Sequence, residues 1–248
     1  MRRTDETIPY VSSPENPMES MSKAKNSAIS VLGWTYIGLV VFSLCGTLLS
    51  KLTGLKPGPI APVASALTIL LGFLAVFEPA LRIKEPHAKT TLFACLLLAG
   101  LIECIGIVTG FPFGSYTYTD KWVPTVLFDT FRFPVMLPFA WLLVVGGATV
   151  ICNKARFPLL AAASIATAID FIMEPVMVRK LGYWQWTYPG PLPGGASALN
   201  PIGWLLTSWI IARLVSLTPQ ENRITCAAVL TGHVALTLGI GAMAAIPR

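Results

Sequence analysis

Seven long apolar runs constrain the fold of this chain more than any other feature. A helix needs roughly 20 apolar residues to cross the hydrocarbon core of a bilayer. Seven segments are of about that length: Ile29–Leu49, Ile60–Leu81, Thr90–Thr109, Pro134–Cys152, Phe157–Val178, Pro201–Leu217 and Ile224–Ile246. The composition agrees, since 54% of the residues are hydrophobic, 12% are charged and the mean hydropathy is +0.67. The sequence therefore predicts an all-α, polytopic membrane helical bundle of about seven transmembrane helices.

A polar stretch, Met1–Ser27, precedes the first apolar run. It lacks a short apolar core followed by a cleavage site, so we expect no cleaved signal peptide and a disordered tail. Residues 28–248 are expected to form a single transmembrane domain. Lys and Arg number 11 on the N-terminal side of the predicted spans and 7 on the other side. This asymmetry predicts a multi-pass protein of the cell (plasma or inner) membrane with a cytoplasmic N-terminus. No basic stripe suggests a nucleic-acid partner.

Two unusual loops interrupt the apolar runs. GFPFGSYTYTD, from Gly110 to Asp120, follows the third run, and GYWQWTYPGPLPGG, from Gly182 to Gly195, follows the fifth. With seven spans, both loops lie on the same membrane face. Trp and Tyr commonly anchor proteins at the interface, and this explains any single aromatic residue. The two loops together favour a functional site, because acidic residues converge beneath them.

Four acidic residues lie inside apolar runs: Glu78, Glu103, Asp170 and Glu174. A carboxylate in the membrane interior costs at least about 2.5 kcal/mol, so each is a functional candidate. Asp170 and Glu174 share one helix face, and Glu103 lies at similar depth, whereas Glu78 is near the opposite face. The alternative is that the acids are neutral, hydrogen-bonded contacts between helices. For Asp170 with Glu174 we favour function, because two carboxyls in one apolar site leave one of them protonated and able to donate.

Several other chemistries lack their residues. The two histidines, His87 and His233, lie on different parts of the chain, which excludes histidine-rich di-iron sites and bis-histidine haem ligation. His233 is interpreted as a hydrogen-bonded interior residue. The five cysteines form no CxxC pair and are interpreted as small buried hydrophobes. Nucleophile-elbow, P-loop, dinucleotide-binding and aspartate-rich prenyl-diphosphate motifs are absent, and we predict no metal site.

Three segments in chain order carry a resemblance: IECIGIVTGFPFGSYTYTD, ATAIDFIMEPVMVRKLGYWQW and NPIGWLLTSWI. They are similar to the bacterial and archaeal carotenoid biosynthesis family, which includes hydratases of acyclic carotenoid ends and of bacterioruberin synthesis. The similarity covers about residues 102–211. The glutamate that precedes the GxPFGxYxY loop of the family matches Glu103. The aspartate four residues before an acid–proline pair matches Asp170, and Glu174 stands where the family commonly has a second aspartate.

The resemblance implies a cofactor-free hydro-lyase that adds water across the terminal C=C of an acyclic carotenoid in the bilayer. Asp170 would protonate the alkene with Glu174 as its partner, and water would capture the tertiary carbocation. Glu103 would be the base for that water, which the hydroxyls of the first loop would order. The aromatic faces would attract the cation, each contact contributing about 0.5–2 kcal/mol. Candidate substrate-binding residues are Phe111, Phe113, Tyr116, Tyr118, Asp120, Tyr183, Trp184, Trp186 and Asn200. Asn200 is also predicted to cap the helix that begins at Pro201.

Two alternatives remain. A carotene cyclase would use the same protonation and quench the cation with an internal alkene, and the hydroxyl-rich loops favour hydration over this. A pigment-binding or assembly subunit would not be catalytic and would keep full function when an acid is replaced by its amide. A proton-coupled transporter is less favoured, since no pair of broken-helix repeats is evident. Other carotenoid enzymes are candidate partners.

Overall fold

The computed structural model of the protein describes residues 28–55 and 60–245, and the backbone alone for residues 60–62. The predicted disordered tail 1–27 and Ile246 of the last predicted span lie outside the described residues. Within these ranges the chain forms seven α-helices. They are α1 (Val31–Thr53), α2 (Ile60–Arg82), α3 (Pro86–Thr109), α4 (Leu137–Cys152), α5 (Pro158–Val176), α6 (Asn200–Val215) and α7 (Arg223–Ala245). A single π-helical turn, Met177–Leu181, extends α5.

The helical membrane bundle is confirmed, and two of its helices, α4 and α6, are short. Five of the seven described helices are long and apolar enough to cross a membrane. The fourth span begins at Leu137 rather than at Pro134, because Arg132–Pro134 forms a strand. With 16 residues each, α4 and α6 are only about 24 Å long, less than the roughly 30 Å of a hydrocarbon core.

The short helix α4 lies at the centre of the bundle, where it packs against α2, α3, α5, α6 and α7. Its buried residues extend around the whole helix, as expected of a helix that is apolar on all sides. Pro138, at its start, lies 3.6 Å from the Cβ position of Gly100. Gly100 is nine residues before the end of α3, so α4 begins about 13 Å inside that end. The two aromatic loops occupy the space between the start of α4 and the level at which α3 ends.

One small antiparallel sheet joins the two loops, and a second lies between the first loop and α4. The strand β1 (Tyr116–Tyr118) pairs with β4 (Trp184–Trp186), and β2 (Thr125–Leu127) pairs with β3 (Arg132–Pro134). The first pairing joins the loop after α3 to the loop after α5, so both loops lie on one membrane face, as predicted. We call this side of the bundle the loop face.

The first loop does more than cover the bundle, because part of it inserts between helices. Phe113 is 2% exposed and wedges between α3 and α6. Its ring carbons lie 2.8 Å from the Cβ position of Gly106 and 2.6 Å from that of Gly203. Only glycine leaves room for the ring at these two positions. These contacts therefore fix how deeply the loop inserts between the helices.

Candidate active site

A cavity of about 550 Å³ lies between the two loops and the helices beneath them. Its volume is in the usual range for small-molecule sites. Ten of the twelve predicted site residues line it: Glu103, Phe113, Tyr116, Tyr118, Asp170, Glu174, Tyr183, Trp184, Trp186 and Asn200. Phe111 and Asp120 do not line it and are exposed at the surface. The three carboxyls at similar depth therefore meet in one cavity, whose wall is mostly apolar and aromatic.

The small sheet β1–β4 directs four aromatic side chains toward the carboxyls. Alternate residues of a strand point to opposite faces, so Tyr116 and Tyr118 face inward while Thr117 is exposed. The register pairs Tyr116 with Trp186 and Tyr118 with Trp184. Two three-residue strands thereby hold two phenols and two indoles over the same part of the cavity.

Glu103, in α3, is 4% exposed and accepts hydrogen bonds on both of its oxygens. Trp141 Nε1 donates to Oε1 at 2.7 Å, while the hydroxyl of Tyr116 and, at 3.3 Å, that of Tyr118 donate to Oε2. Burial and the nearby Glu103 carboxyl raise the pKa of Tyr116 and Tyr118 well above the usual value. Both phenols therefore keep their protons and act as donors, which leaves Glu103 without a free oxygen.

Glu174, in α5, is 2% exposed and is held by the second loop. Trp184 Nε1 and Trp186 Nε1 donate to its Oε1 at 3.1 and 2.6 Å. An indole nitrogen can only donate, so Oε1 is fixed as an acceptor. Gly194 of the same loop packs on this side chain, with its Cβ position 2.8 Å from Glu174 Cγ. No described group hydrogen-bonds to Oε2.

Asp170, one helical turn before Glu174, is the carboxyl with the fewest partners. Its Oδ2 accepts from Asn200 Nδ2 at 2.8 Å, and nothing in the described ranges hydrogen-bonds to Oδ1. The prediction that Asn200 caps a helix was wrong, since the helix begins at Asn200 itself and makes no side-chain cap. The amide of Asn200 is instead turned into the cavity toward Asp170.

The hydroxyl groups of the first loop lie elsewhere than predicted. Ser115 and Thr117 are exposed, and Thr119 Oγ1 donates to the backbone oxygen of Gly182 at 2.6 Å. None of the three lines the cavity. Apart from the two phenols of β1, this loop therefore supplies no hydroxyl to the site.

Several cavity residues were missed by sequence reasoning. The indoles of Trp141 and Trp204 stack with centroids 3.7 Å apart, and Trp122 stacks on Tyr183 at 5.0 Å. A tryptophan within an apolar run has the same pattern as a core residue, so no sequence signal distinguished them. His233, Thr237 and hydroxyl residues of α1 and α2 also line the cavity. Glu78, set apart in the sequence analysis, pairs with Arg82 at 2.6 Å outside it.

Comparison with known proteins identifies the family. The family described as "Carotenoid biosynthesis protein" matches residues 64–246. The chain belongs to this family. Its match covers both loops, all three carboxyls and six of the seven helices, so it includes nearly the whole cavity.

A relative from Haloarcula japonica named "Bisanhydrobacterioruberin hydratase" is 30% identical over 190 residues. The alignment covers 71% of this chain and 62% of the relative, so the chain spans less than two thirds of that protein's length. No solved structure matches the chain. The family gives the protein a role in carotenoid biosynthesis, and the apolar helices make it a multi-pass membrane protein.

Proposed function

We propose that this protein is a cofactor-free hydratase that adds water across the terminal C=C of an acyclic carotenoid. The observation that carries the proposal is the meeting of three carboxyls in one apolar, aromatic-lined cavity within the membrane. Carboxyls at such depth are energetically costly, and ionisable residues inside a membrane mark functional sites. The family and the hydratase named among its relatives support the choice of substrate. We further expect the protein in the cell membrane with its N-terminus in the cytoplasm.

Asp170 is the proton donor in this proposal. It has one oxygen held by Asn200 and another that no described residue engages, so a proton on Oδ1 can be directed at a substrate. Transfer to the less substituted alkene carbon leaves a tertiary carbocation beside the new carboxylate. Glu174 is the partner of this acid, with Oε1 engaged by two indoles.

The aromatic side chains hold the cation. The polar atoms of Tyr116, Tyr118, Trp184 and Trp186 are bound to Glu103 and Glu174, so their rings are fixed in place. A cation over an aromatic face gains about 0.5–2 kcal/mol per contact. Glu103, with both oxygens occupied, is assigned to holding two phenols and an indole and to supplying negative charge. The role of base that the sequence suggested for it does not suit its geometry.

Replacement of Asp170 by Asn tests the proposal. The variant keeps the size of the side chain and an oxygen for Asn200, but it has no proton to give. Co-expression with a pathway that makes acyclic carotenoid should yield, for the wild type, a product heavier by one water. Loss of general acid catalysis lowers a rate by roughly 10²–10⁴-fold. At equal amounts of folded protein, the yield of hydrated product from Asp170→Asn should fall by at least this factor. Glu78→Gln, outside the cavity, should retain wild-type product.

Three results would contradict parts of this assignment. Near-normal product from Asp170→Asn would move the donor role to Glu174 or Glu103. A product of unchanged mass with a ring at its end would identify a cyclase. Retained carotenoid with no chemical change in the wild type would favour a pigment-binding or assembly subunit.

A further inference from the structure

One wall of the cavity is polar, although it is formed by apolar helices long enough to cross a membrane. Five side chains form it, from α1, α2 and α7; we call them the hydroxyl wall: Ser43, Thr47, Thr68, His233 and Thr237. An alkene has no group that could hydrogen-bond to these residues. A buried polar group without a partner is costly, so those groups of the wall that the protein leaves unpaired favour a small ligand that can make hydrogen bonds.

The hydrogen bonds already made by the wall define what that ligand must be. The hydroxyls of Thr47, Thr68 and Thr237 donate to backbone oxygens four residues earlier, at 2.8, 2.7 and 3.1 Å. Their lone pairs are left as acceptors. Ser43 Oγ is buried without any hydrogen-bond partner among the described residues. The imidazole of His233, 7% exposed, has none there either. These acceptors and the imidazole match a water molecule, which needs two to four polar partners in a buried site.

Helix contacts bring these residues to one level. The Cβ position of Gly232 lies 3.6 Å from Val40, and that of Gly239 lies 2.6 Å from Leu44. The segment of α7 between these glycines contains His233 and Thr237, and it therefore runs beside the segment of α1 that contains Ser43. Ser43, His233 and Thr237 are thus neighbours on one surface, and Thr47 lies one helical turn from Ser43 on α1.

The same wall lies level with the carboxyls. Gly241 of α7 packs against Val176 of α5, with its Cβ position 2.6 Å from Cγ2. From that contact, Asp170 is six residues and His233 eight residues deeper, or about 9 and 12 Å along parallel helices. Both side chains line one cavity, so a substrate end beside Asp170 also meets the hydroxyl wall.

We propose that the hydroxyl wall binds the water that is added to the substrate and that His233 accepts the proton this water loses. The inference rests on the hydratase function proposed above. Asp170 gives a proton to the alkene carbon, and the water oxygen forms a C–O bond to the resulting cation. The oxonium loses its proton to the imidazole, and the imidazolium returns that proton to the Asp170 carboxylate. The balance is the addition of one water to one alkene.

Deuterium separates protonation from water capture. In D₂O the first step places deuterium on carbon, so a cation that is not captured returns to an alkene that carries deuterium. Membranes holding wild type, His233→Gln, Thr237→Val or Asp170→Asn are given an acyclic carotenoid in D₂O. Hydrated product and deuterium in the recovered alkene are then measured by mass spectrometry. His87→Gln makes the same change at the other histidine, which lies exposed outside the cavity, and serves as the matched control.

We expect His233→Gln to lose at least about 10²-fold in hydration, the range for loss of a general base, while deuterium still enters the recovered alkene. Thr237→Val should likewise lower hydration relative to deuterium incorporation, and His87→Gln should match the wild type. Asp170→Asn should lose both hydration and deuterium incorporation.

Normal hydration by His233→Gln would overturn the inference, and so would equal loss of hydration and exchange in both wall variants. A defect confined to carotenoids that already bear a hydroxyl would also overturn it, since the wall would then recognise substrate oxygen. A wild type that neither hydrates nor exchanges would instead refute the proposed function.

Discussion

At the scale of single residues, the three carboxyls differ in how many hydrogen bonds their oxygens accept. Glu103 receives three donors, Glu174 receives two on one oxygen, and Asp170 receives one. Charge-assisted hydrogen bonds are the strong ones, so Glu103 is the carboxyl that is built into the structure most firmly. The free oxygens belong to the two acids of α5, which share one helix face.

Replacing Glu103 by Gln tests whether its negative charge matters. The amide can still accept from Trp141 and can donate to the phenol oxygens of Tyr116 and Tyr118, because a hydroxyl both donates and accepts. The loop should therefore stay in place while the charge opposite the cation is lost. We expect hydration to fall at least about tenfold, equivalent to about 1.4 kcal/mol of barrier. Carotenoid product per amount of folded protein is the measurement, and an unchanged yield would make Glu103 a purely structural contact.

At the scale of elements, the second loop contacts Glu174 through Gly194 but not through the neighbouring Gly195. Gly194 has φ +78° and its Cβ position meets Glu174 Cγ at 2.8 Å and Glu174 backbone atoms at 3.3 Å. Gly195 has φ +86°, but its Cβ position meets only Pro189, at 3.8 Å. The neighbouring glycines therefore share the left-handed backbone and differ in their contact with the acid.

Alanine at each of these glycines separates backbone strain from displacement of Glu174. Both substitutions place a Cβ in the left-handed region, at roughly 1–2 kcal/mol, so both should lower thermal stability, and Gly194→Ala should lower it further because its Cβ also meets Glu174 Cγ at 2.8 Å. Only Gly194→Ala pushes against the acid, so it should lose at least about tenfold more hydration activity than Gly195→Ala. Melting temperatures in detergent and product yields in membranes give the two readouts. Equal activities in the two variants would mean that the loop does not position Glu174.

The elements also differ in how well the sequence predicts them. The helices were found because apolar runs of about 20 residues leave few alternatives in a membrane. The pairing of β1 with β4 was not found, since strands of three residues carry no periodic signal and their partners are far apart in the chain. The starts of α4 and α6 were set by tertiary contacts, namely the hairpin β2–β3 and the bond from Asn200 to Asp170.

The site shows the same division between local and tertiary information. The convergence of Glu103, Asp170 and Glu174 was predictable from chain direction and helical rise alone. The hydrogen-bonding roles of Trp141 and Asn200 were not, because they depend on which helix faces which. His233 was interpreted as a hydrogen-bonded interior residue, and no described group hydrogen-bonds to its ring.

At the scale of the whole molecule, the cavity reaches the side of the bundle within the membrane. Phe42 and Gly46 line it and are also exposed on α1, Phe42 at 65%. Gly46 lies seven residues before the end of α1 at Thr53, or about 10 Å along the helix from that end. Lys121, directly after the first loop, is exposed and also lines the cavity, so it marks the other approach, from the loop face. A polyene that stays in the bilayer should use the opening beside α1, since leaving the membrane would expose its apolar surface to water.

Two glycines of α1 allow this route to be tested. Gly38 and Gly46 are both exposed, and a Cβ at either position meets nothing within 4 Å, so tryptophan can be placed at each without a clash at Cβ. Only Gly46 lines the cavity. Gly46→Trp should therefore block the opening and lower hydration by at least about tenfold, a barrier change of about 1.4 kcal/mol, whereas Gly38→Trp should leave it unchanged. The measurement is the initial rate of product formation in membranes with equal amounts of folded protein. If Gly46→Trp turns over normally and Lys121→Trp does not, the substrate reaches the acids from the loop face, and a molecule able to leave the bilayer would have to replace the carotenoid in the proposed reaction.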